Sequence, residues 1–131
     1  METLEENLKS CNFDKYLKKL VKKLKGKTVI VYGTGSLFQL VQKKYDLSQL
    51  NIIGVSDYKY VLNDEGRIDL GYKIIPKDKL KDYPCDVILL GLLEYMSVLY
   101  DFAEKEYKDS KTEILPLVRK PLLKALRDIW F

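Results

Sequence analysis

Residues 27–36, with the sequence KTVIVYGTGS, decide the fold of this chain. The β-branched run that begins at Thr28 predicts a buried strand, and it leads directly into the glycine turn Gly33-Thr34-Gly35-Ser36. Apolar residues then recur at helical spacing over residues 37–45. A strand, a glycine turn and a helix start in this order direct backbone N–H groups at a phosphate. The stretch therefore predicts both a fold and an anionic ligand.

The residues of this turn have candidate roles in binding such a ligand. Gly33 permits the tight bend, Gly35 lets a phosphate approach the backbone, and Ser36 can donate its hydroxyl, with Thr34 between them. The helix N-terminus adds about half a positive charge. The full motif has a small residue at position 38, where this chain has Phe38. That ring predicts a helix displaced from the sheet or an altered phosphate pocket. The alternative is a plain strand-to-helix turn that binds nothing.

Asp57 is the second candidate binding residue. It ends the next predicted strand, 22 positions after Gly35. In dinucleotide-binding folds the acid that holds the ribose hydroxyls lies roughly 20 positions after the turn. The spacing favours a nucleoside ligand such as NAD, and Lys59 could then meet a 2′-phosphate or an acidic sugar. The alternative is that Asp57 caps a turn, as aspartate commonly does, and that Lys59 is solvated.

A third candidate group follows the apolar strand at residues 85–90. Ligands of open parallel sheets lie at the carboxyl ends of strands where the strand order reverses, which places Gly91 beside the glycine turn. Glu94 and Tyr95 are the nearest polar side chains in the sequence. Their alternative roles are an acid at a helix N-terminus and a partly buried aromatic. Asp69-Leu70-Gly71 looks like a piece of a methyl-donor motif but lacks the strand context.

The remaining sequence divides into alternating strands and helices. Strands are predicted at residues 27–32, 51–56, 73–75, 85–90 and 112–115, and helices at residues 36–45, 76–81, 92–108 and from Pro121 onward. Two N-terminal helices are predicted to start at Thr3 and Asn12, and residues 58–72 to form a small hairpin or irregular excursion. We expect one domain, residues 1–131, in which a helical segment (1–25) precedes an α/β core (26–131). The core is predicted to be a three-layer sandwich with a mostly parallel sheet of about five strands in the order 3-2-1-4-5.

The composition excludes several kinds of catalytic and metal site. The chain has no histidine, which excludes Ser-His-Asp and Cys-His catalysis. Cys11 and Cys85 form no CxxC pattern, which predicts reduced core residues and no metal site. No catalytic constellation is visible, so the sequence leaves open whether the chain is an enzyme. No apolar run is long enough to cross a bilayer and the N-terminus is no secretory signal, so we expect a cytoplasmic protein without a transmembrane segment.

Lysines are concentrated between Lys15 and Lys27, in a chain whose net charge is +4. Such a run is usually the solvated side of a helix that packs on a core. The alternative is a surface for nucleic acid or an anionic membrane. The ten tyrosines are dispersed and form no RNA-binding pattern, so the sequence argues against nucleic acid as a partner.

Three segments together resemble a known group of domains: VYGTGSLFQLV at 31–41, NIIGVSDYKY at 51–60 and GYKIIPKDKLKDYPCDVILLG at 71–91. In order and spacing they are similar to the Rossmann-like NAD(P)- or nucleotide-sugar-binding domains of polysaccharide-biosynthesis proteins. These include epimerase/dehydratase-type domains, sugar acyltransferase N-terminal domains and sugar C-methyltransferase C-terminal domains. The resemblance implies a Rossmann-like fold and marks Gly33, Gly35, Ser36 and Asp57 as nucleotide-side positions. Neither a Tyr-x-x-x-Lys dehydrogenase pair nor a hexapeptide-repeat acyltransferase domain accompanies it.

Three functional hypotheses follow. The first is a domain that binds NAD, NADP or a nucleotide sugar and is accessory to surface-polysaccharide or nucleotide-sugar metabolism. The second is a ligand-free interaction or oligomerisation module, forming a homodimer or binding a partner domain, which Phe38 and the apolar terminus Ile129-Trp130-Phe131 favour. The third is an enzyme acting on a nucleotide-linked sugar, with Glu94, Tyr95 or Asp57 as acid or base and a partner domain supplying substrate-binding surface.

Overall fold

The computed structural model describes residues 2–120; the helix predicted from Pro121 lies outside the described residues. The strands, in chain order, are β1 (Thr28–Tyr32), β2 (Asn51–Ser56), β3 (Ile68–Asp69), β4 (Tyr72–Lys73), β5 (Val87–Leu90) and β6 (Glu113–Pro116). The α-helices are α1 (Leu4–Ser10), α2 (Phe13–Lys23), α3 (Ser36–Lys44) and α4 (Met96–Asp101). Two 3-10 turns cover Leu62–Asp64 and Lys77–Asp82, and a π-helical turn covers Phe102–Glu106. Within residues 2–120 no helix is both long and apolar enough to span a bilayer.

The central feature is a parallel four-stranded sheet in the order β2-β1-β5-β6. The prediction of an α/β sandwich with a mostly parallel sheet is confirmed, with fewer strands than the expected five. The segment predicted as the remaining strand, residues 73–75, makes only one parallel bridge, between Ile74 and Val55. It lies on the outer side of β2, as the predicted order requires, but Lys73 pairs with β3 instead.

The sheet has a separate hydrophobic core on each face, because alternate residues of a strand point to opposite sides. On one side Val29 and Val31 pack with buried residues of α1, α2 and α3. On the other side Ile30 and Tyr32 pack beneath the irregular elements that follow β4 and β5. All four residues of β5 are buried, as expected for a central strand of a parallel sheet.

The N-terminal segment forms two short helices that begin where the sequence predicts. The Thr3 hydroxyl accepts a hydrogen bond from the Glu6 amide at 3.1 Å, which caps α1. Asn12 precedes α2 with a left-handed φ of 52°, but its side chain makes no capping bond. The next residue, Phe13, is 1% exposed and meets the Tyr45 ring edge-on at 4.8 Å. Burial of this ring therefore fixes where α2 starts against α3.

Residues 58–72 form an excursion from the sheet, and it differs from its predicted detail. The predicted turn at residues 63–66 is partly a 3-10 turn, and the hairpin is the short antiparallel pair β3–β4. Its bend lies at Leu70 and Gly71, both with positive φ (53° and 87°). The Gln42 side chain donates to the Leu70 carbonyl at 2.7 Å, so this tertiary contact from α3 helps to hold the bend.

The helix predicted over residues 92–108 starts late and ends irregularly. α4 begins only at Met96, and after Asp101 the chain widens into a π-helical turn closed by the Tyr107 amide on the Phe102 carbonyl at 2.7 Å. A Cβ at Gly33 would lie 3.0 Å from Leu92 side-chain atoms. Leu92 is therefore packed against the glycine turn, in an irregular segment before the first helical residue. The brief helix predicted at 76–81 is likewise a 3-10 turn.

Replacement of Gly91 by alanine should lower stability by about 3 kcal/mol, because the new Cβ would lie 2.3 Å from the Gly33 carbonyl oxygen. Gly35→Ala is the matched control, since a Cβ there meets nothing within 4 Å and should cost less than about 1 kcal/mol. Urea unfolding of both variants measures the difference. Equal losses would show that the two strand ends are not closely packed.

Candidate functional site

The glycine turn lies where β1 and β5 end side by side, at the carboxyl edge of the sheet. The Gly33 amide donates to the Ser56 carbonyl at 2.9 Å, and the Gly91 amide donates to the Tyr32 carbonyl at 2.8 Å. Gly33 has a φ of 105°, which strongly favours glycine. These two hydrogen bonds continue the parallel pairing beyond the ends of the strands. They fix the glycine turn to the end of β2 and to the residue that follows β5.

Asp57 is turned inward and holds this turn. Its Oδ2 accepts from the Thr34 amide at 2.8 Å and from the Thr34 hydroxyl at 3.3 Å, and its Oδ1 accepts from the Lys59 amide at 3.1 Å. Asp57 is 8% exposed and Thr34 is fully buried. An ionised carboxylate tolerates such burial only when donors surround it. The Thr34 amide is thus engaged within the chain.

Tyr60 extends the network from the glycine turn to the hairpin. Its hydroxyl donates to Asp69 Oδ2 at 2.6 Å and lies 3.0 Å from the Thr34 hydroxyl. Burial, followed by the bond to Asp69, raises the pKa of Tyr60 to about 12. The phenol therefore stays protonated near neutral pH and acts as a hydrogen-bond donor.

The start of α3 has unused donors on its open side. The amides of Ser36, Leu37 and Phe38 have no backbone acceptor among the described residues, and no side chain caps the helix. Gly35 and Ser36 are exposed, and the space around Gly35 is open. Leu37 and Phe38 are 5% and 0% exposed, so the accessible donor of the three is the Ser36 amide, which lies at the positive end of the helix dipole and can receive an anion.

The Phe38 ring does not obstruct these amides. It is fully buried in the core beneath α3, with its centroid 6.4 Å from that of Tyr72. The Gln39 side chain instead reaches back to the Thr34 carbonyl at 3.0 Å. Phe38 is thus a core residue beside the turn, and the changed pocket or displaced helix expected from it stays a prediction.

A cavity of about 540 Å³ lies beside this network, between the segments that follow β2 and β4. Its lining residues are Tyr58, Tyr60, Val61, Leu62, Asn63, Pro76, Lys77 and Asp78. Tyr58 is 86% exposed, and Val61 and Leu62 are also exposed. At the end of β2, the Ser56 hydroxyl is buried and has no hydrogen-bond partner among the described residues. Apolar walls and unused polar groups thus occur together at this edge.

Glu94 and Tyr95, the other predicted site residues, make their polar contacts away from the turn. Glu94 accepts from the Lys120 ammonium at 2.8 Å, and the Tyr95 hydroxyl accepts from the Lys120 amide at 3.4 Å. Tyr95 is otherwise buried in the core on the side of α4. The structure therefore brings together the glycine turn, Asp57 and Gly91, whereas Glu94 and Tyr95 contact Lys120, in the segment that follows β6.

Sequence reasoning missed Tyr60, Asp69, Gln39 and Gln42 as parts of the site. One signal was available for Tyr60, which follows Asp57 closely in a segment that returns over the sheet edge. Nothing in the sequence indicated that Asp69 would meet it, since their contact depends on the hairpin.

The pKa of the Cys85 thiol is raised to about 11 by burial and then by Asp86, so this thiol is protonated near neutral pH. The site described here is suited to binding through hydrogen bonds.

Comparison of the chain with protein-family models gave no match, and comparison with curated proteins gave none either.

Tyr60→Phe should lower stability by about 1–2 kcal/mol at neutral pH, because it leaves the part-buried Asp69 Oδ2 without its donor and removes the contact with the Thr34 hydroxyl. The raised pKa also predicts a pH dependence. Because the unfolded chain releases the phenolic proton first, stability should fall as pH rises from about 10 to 12. The variant should show a shallower fall in urea unfolding measured across this range. Tyr58→Phe, at an exposed ring, is the control, and superimposable curves for the two variants would contradict the network.

Proposed function

We propose that this chain binds a nucleotide-class ligand, either NAD(P) or a nucleotide sugar, at the carboxyl edge of its sheet. The observation that carries the proposal is the uncapped start of α3 at exposed Ser36, next to a turn that Asp57 and Tyr60 hold in place. Open α/β sheets bind ligands at this edge, where the strand order reverses. Here the reversal lies between β1 and β5.

In this proposal a phosphate lies against the start of α3. The Ser36 amide and hydroxyl supply donors, and preorganised donors lose little entropy on binding. Lys59 supplies a nearby positive charge, since its ammonium lies 5.4 Å from the centre of the Tyr60 ring. Because the Thr34 amide already donates to Asp57, the phosphate is placed at Ser36, two residues further along the turn.

The nucleoside part of the ligand would occupy the cavity beside Tyr60. A volume of about 540 Å³ is suitable for a small ligand, and the exposed Tyr58 ring offers a face for a base. Asp57 accepts three hydrogen bonds from the chain. A carboxylate has about four acceptor sites, so one acceptor position of Asp57 is not used by the chain. The connection between the phosphate and nucleoside positions is the bond between Tyr60 and Thr34.

We propose binding without catalysis as the main activity of this domain. The pKa shifts of Tyr32 and Tyr60, at this edge, are upward, so these phenols stay protonated near neutral pH. The resemblance to polysaccharide-biosynthesis domains makes an accessory role in nucleotide-sugar metabolism our preferred context.

One observation favours the second hypothesis, an interaction module. The excursion after β2 carries four exposed apolar side chains, Tyr58, Val61, Leu62 and Ile68. A cluster of this kind is typical of a surface that another protein covers. In that case the cavity would be part of a protein interface.

The test is ligand-induced stabilisation of the whole chain, with NAD, NADP and UDP-glucose as separate probes. A ligand at 100 times its dissociation constant should raise the unfolding free energy by about 2.7 kcal/mol. Gly35→Val should abolish this gain by placing a branched side chain over the amides. Lys43→Val, at an exposed position near the other end of α3, should preserve it.

Two outcomes would overturn the nucleotide proposal. One is the absence of stabilisation by any of the three probes at millimolar concentration. The other is equal stabilisation of wild type and Gly35→Val, which would place the ligand elsewhere. If no probe binds and light scattering shows a dimer that Leu62→Asp dissociates, the interaction module replaces it.

A further inference from the structure

A second surface lies between α2 and β6 with the residues that follow it, and β6 is the edge strand at the other end of the sheet from β2. This surface is a groove of about 760 Å³. Its described lining residues are Cys11, Asn12, Lys15, Tyr16, Lys19, Leu20, Lys23, Leu115, Arg119 and Lys120. Half of them are cationic, and none of these lining residues is acidic. We call this surface the basic groove, and we infer that it binds the phosphodiester backbone of single-stranded nucleic acid.

The first argument is the concentration of charge. α2 has five lysines and one aspartate, so this one helix carries a charge equal to the net charge of the whole chain, +4. The remaining residues are neutral in sum. A field concentrated on one element steers a polyanion to one surface of the molecule.

The second argument is the arrangement of the cations. Lys15, Lys19 and Lys23 recur every four residues, so they form a row about 12 Å long on one side of α2. Each nucleotide of a nucleic acid carries one negative phosphate. A regular row of lysines can therefore contact successive phosphates. Arg119 lines the groove from the segment after β6. Its planar guanidinium is suited to binding a phosphate.

The third argument is that some of these charges are uncommitted. Lys23 pairs with Glu113 at 3.2 Å and Lys120 with Glu94 at 2.8 Å, both at the margins of the groove. Lys15, Lys19 and Arg119 make no ion pair with any residue in the range 2–120. Three cations therefore remain to meet phosphates without breaking an existing pair.

The groove is also a fixed feature of the fold. The Tyr16 hydroxyl donates to the Pro116 carbonyl at 2.6 Å, joining α2 to β6 across 100 positions of sequence. Burial raises the pKa of this phenol to about 12, so the bond persists at neutral pH. The half-buried ring lies within the groove, as aromatic rings do in grooves that bind single strands.

A membrane fits this surface less well. The apolar residues of α2 that face the sheet, such as Phe13, Leu17 and Leu20, are buried and unable to enter a bilayer. The groove is concave, whereas a bilayer presents a flat surface. The dispersed tyrosines argued against nucleic acid at the level of sequence, but the fold adds Arg119 and Lys120 to the lysine row.

The experiment measures binding of fluorescent dT20 to the full chain by anisotropy between 50 and 200 mM NaCl. Three phosphate contacts predict a slope of log K against log salt of about −2. Lys15→Ala/Lys19→Ala should weaken binding by about tenfold at low salt and make the slope shallower by about 1.4. Lys18→Ala/Lys22→Ala is the matched control, because it removes two charges from the same helix outside the groove. It should change affinity by less than about twofold.

Three results would overturn the inference: no binding of dT20 at 50 mM NaCl, equal losses in the two double variants, or binding of vesicles with 30% phosphatidylglycerol but not of dT20. Gly35→Val should bind dT20 as the wild type does. Its behaviour separates this surface from the proposed nucleotide site, so either can fail without the other.

Discussion

The carboxylate of Asp57 is the interaction on which the carboxyl edge of the sheet depends. Through two oxygens it collects the Thr34 amide and hydroxyl and the Lys59 amide, and so joins the end of β2 to the turn after β1. A buried charge of this kind is stable only while its donors stay in place. The turn, the excursion and the start of α3 therefore keep one mutual arrangement.

This constraint also defines what the edge can bind. The amide closest to Asp57 is already satisfied, and Gly33 is enclosed by Leu92 and Gly91. The accessible donors that remain are the amide and hydroxyl of Ser36, the exposed first residue of α3. Tyr60 then connects the turn to the neighbouring cavity. A domain built in this way has fixed hydrogen-bond donors beside a cavity with apolar walls, and both are typical features of a binding site.

The sequence predicts the parts of this structure that depend on local pattern. β1, β2, α3 and the parallel order follow from β-branched runs, a glycine turn and helical spacing. The prediction over residues 92–108 was wrong at its start because Leu92 is required at the glycine turn, which periodicity alone does not reveal. The pairing of Tyr60 with Asp69, and the meeting of Arg119 with the lysines of α2, depend on contacts between distant segments. The spacing of Asp57 from the glycine turn identified it as a candidate. The inward direction of its side chain depends on a contact with a distant segment, so the sequence could not predict it.

The two sides of the sheet are covered by elements of different regularity, with a consequence for motion. One side is covered by α1, α2 and α3, which are regular α-helices. Among residues 2–120 the other side is covered by a 3-10 turn, the six-residue α4 and a π-helical turn. Short irregular elements open at a lower free energy than regular helices. We therefore expect local opening of the native state to be more frequent over Tyr32 and Phe102 than on the side of the sheet that α2 covers.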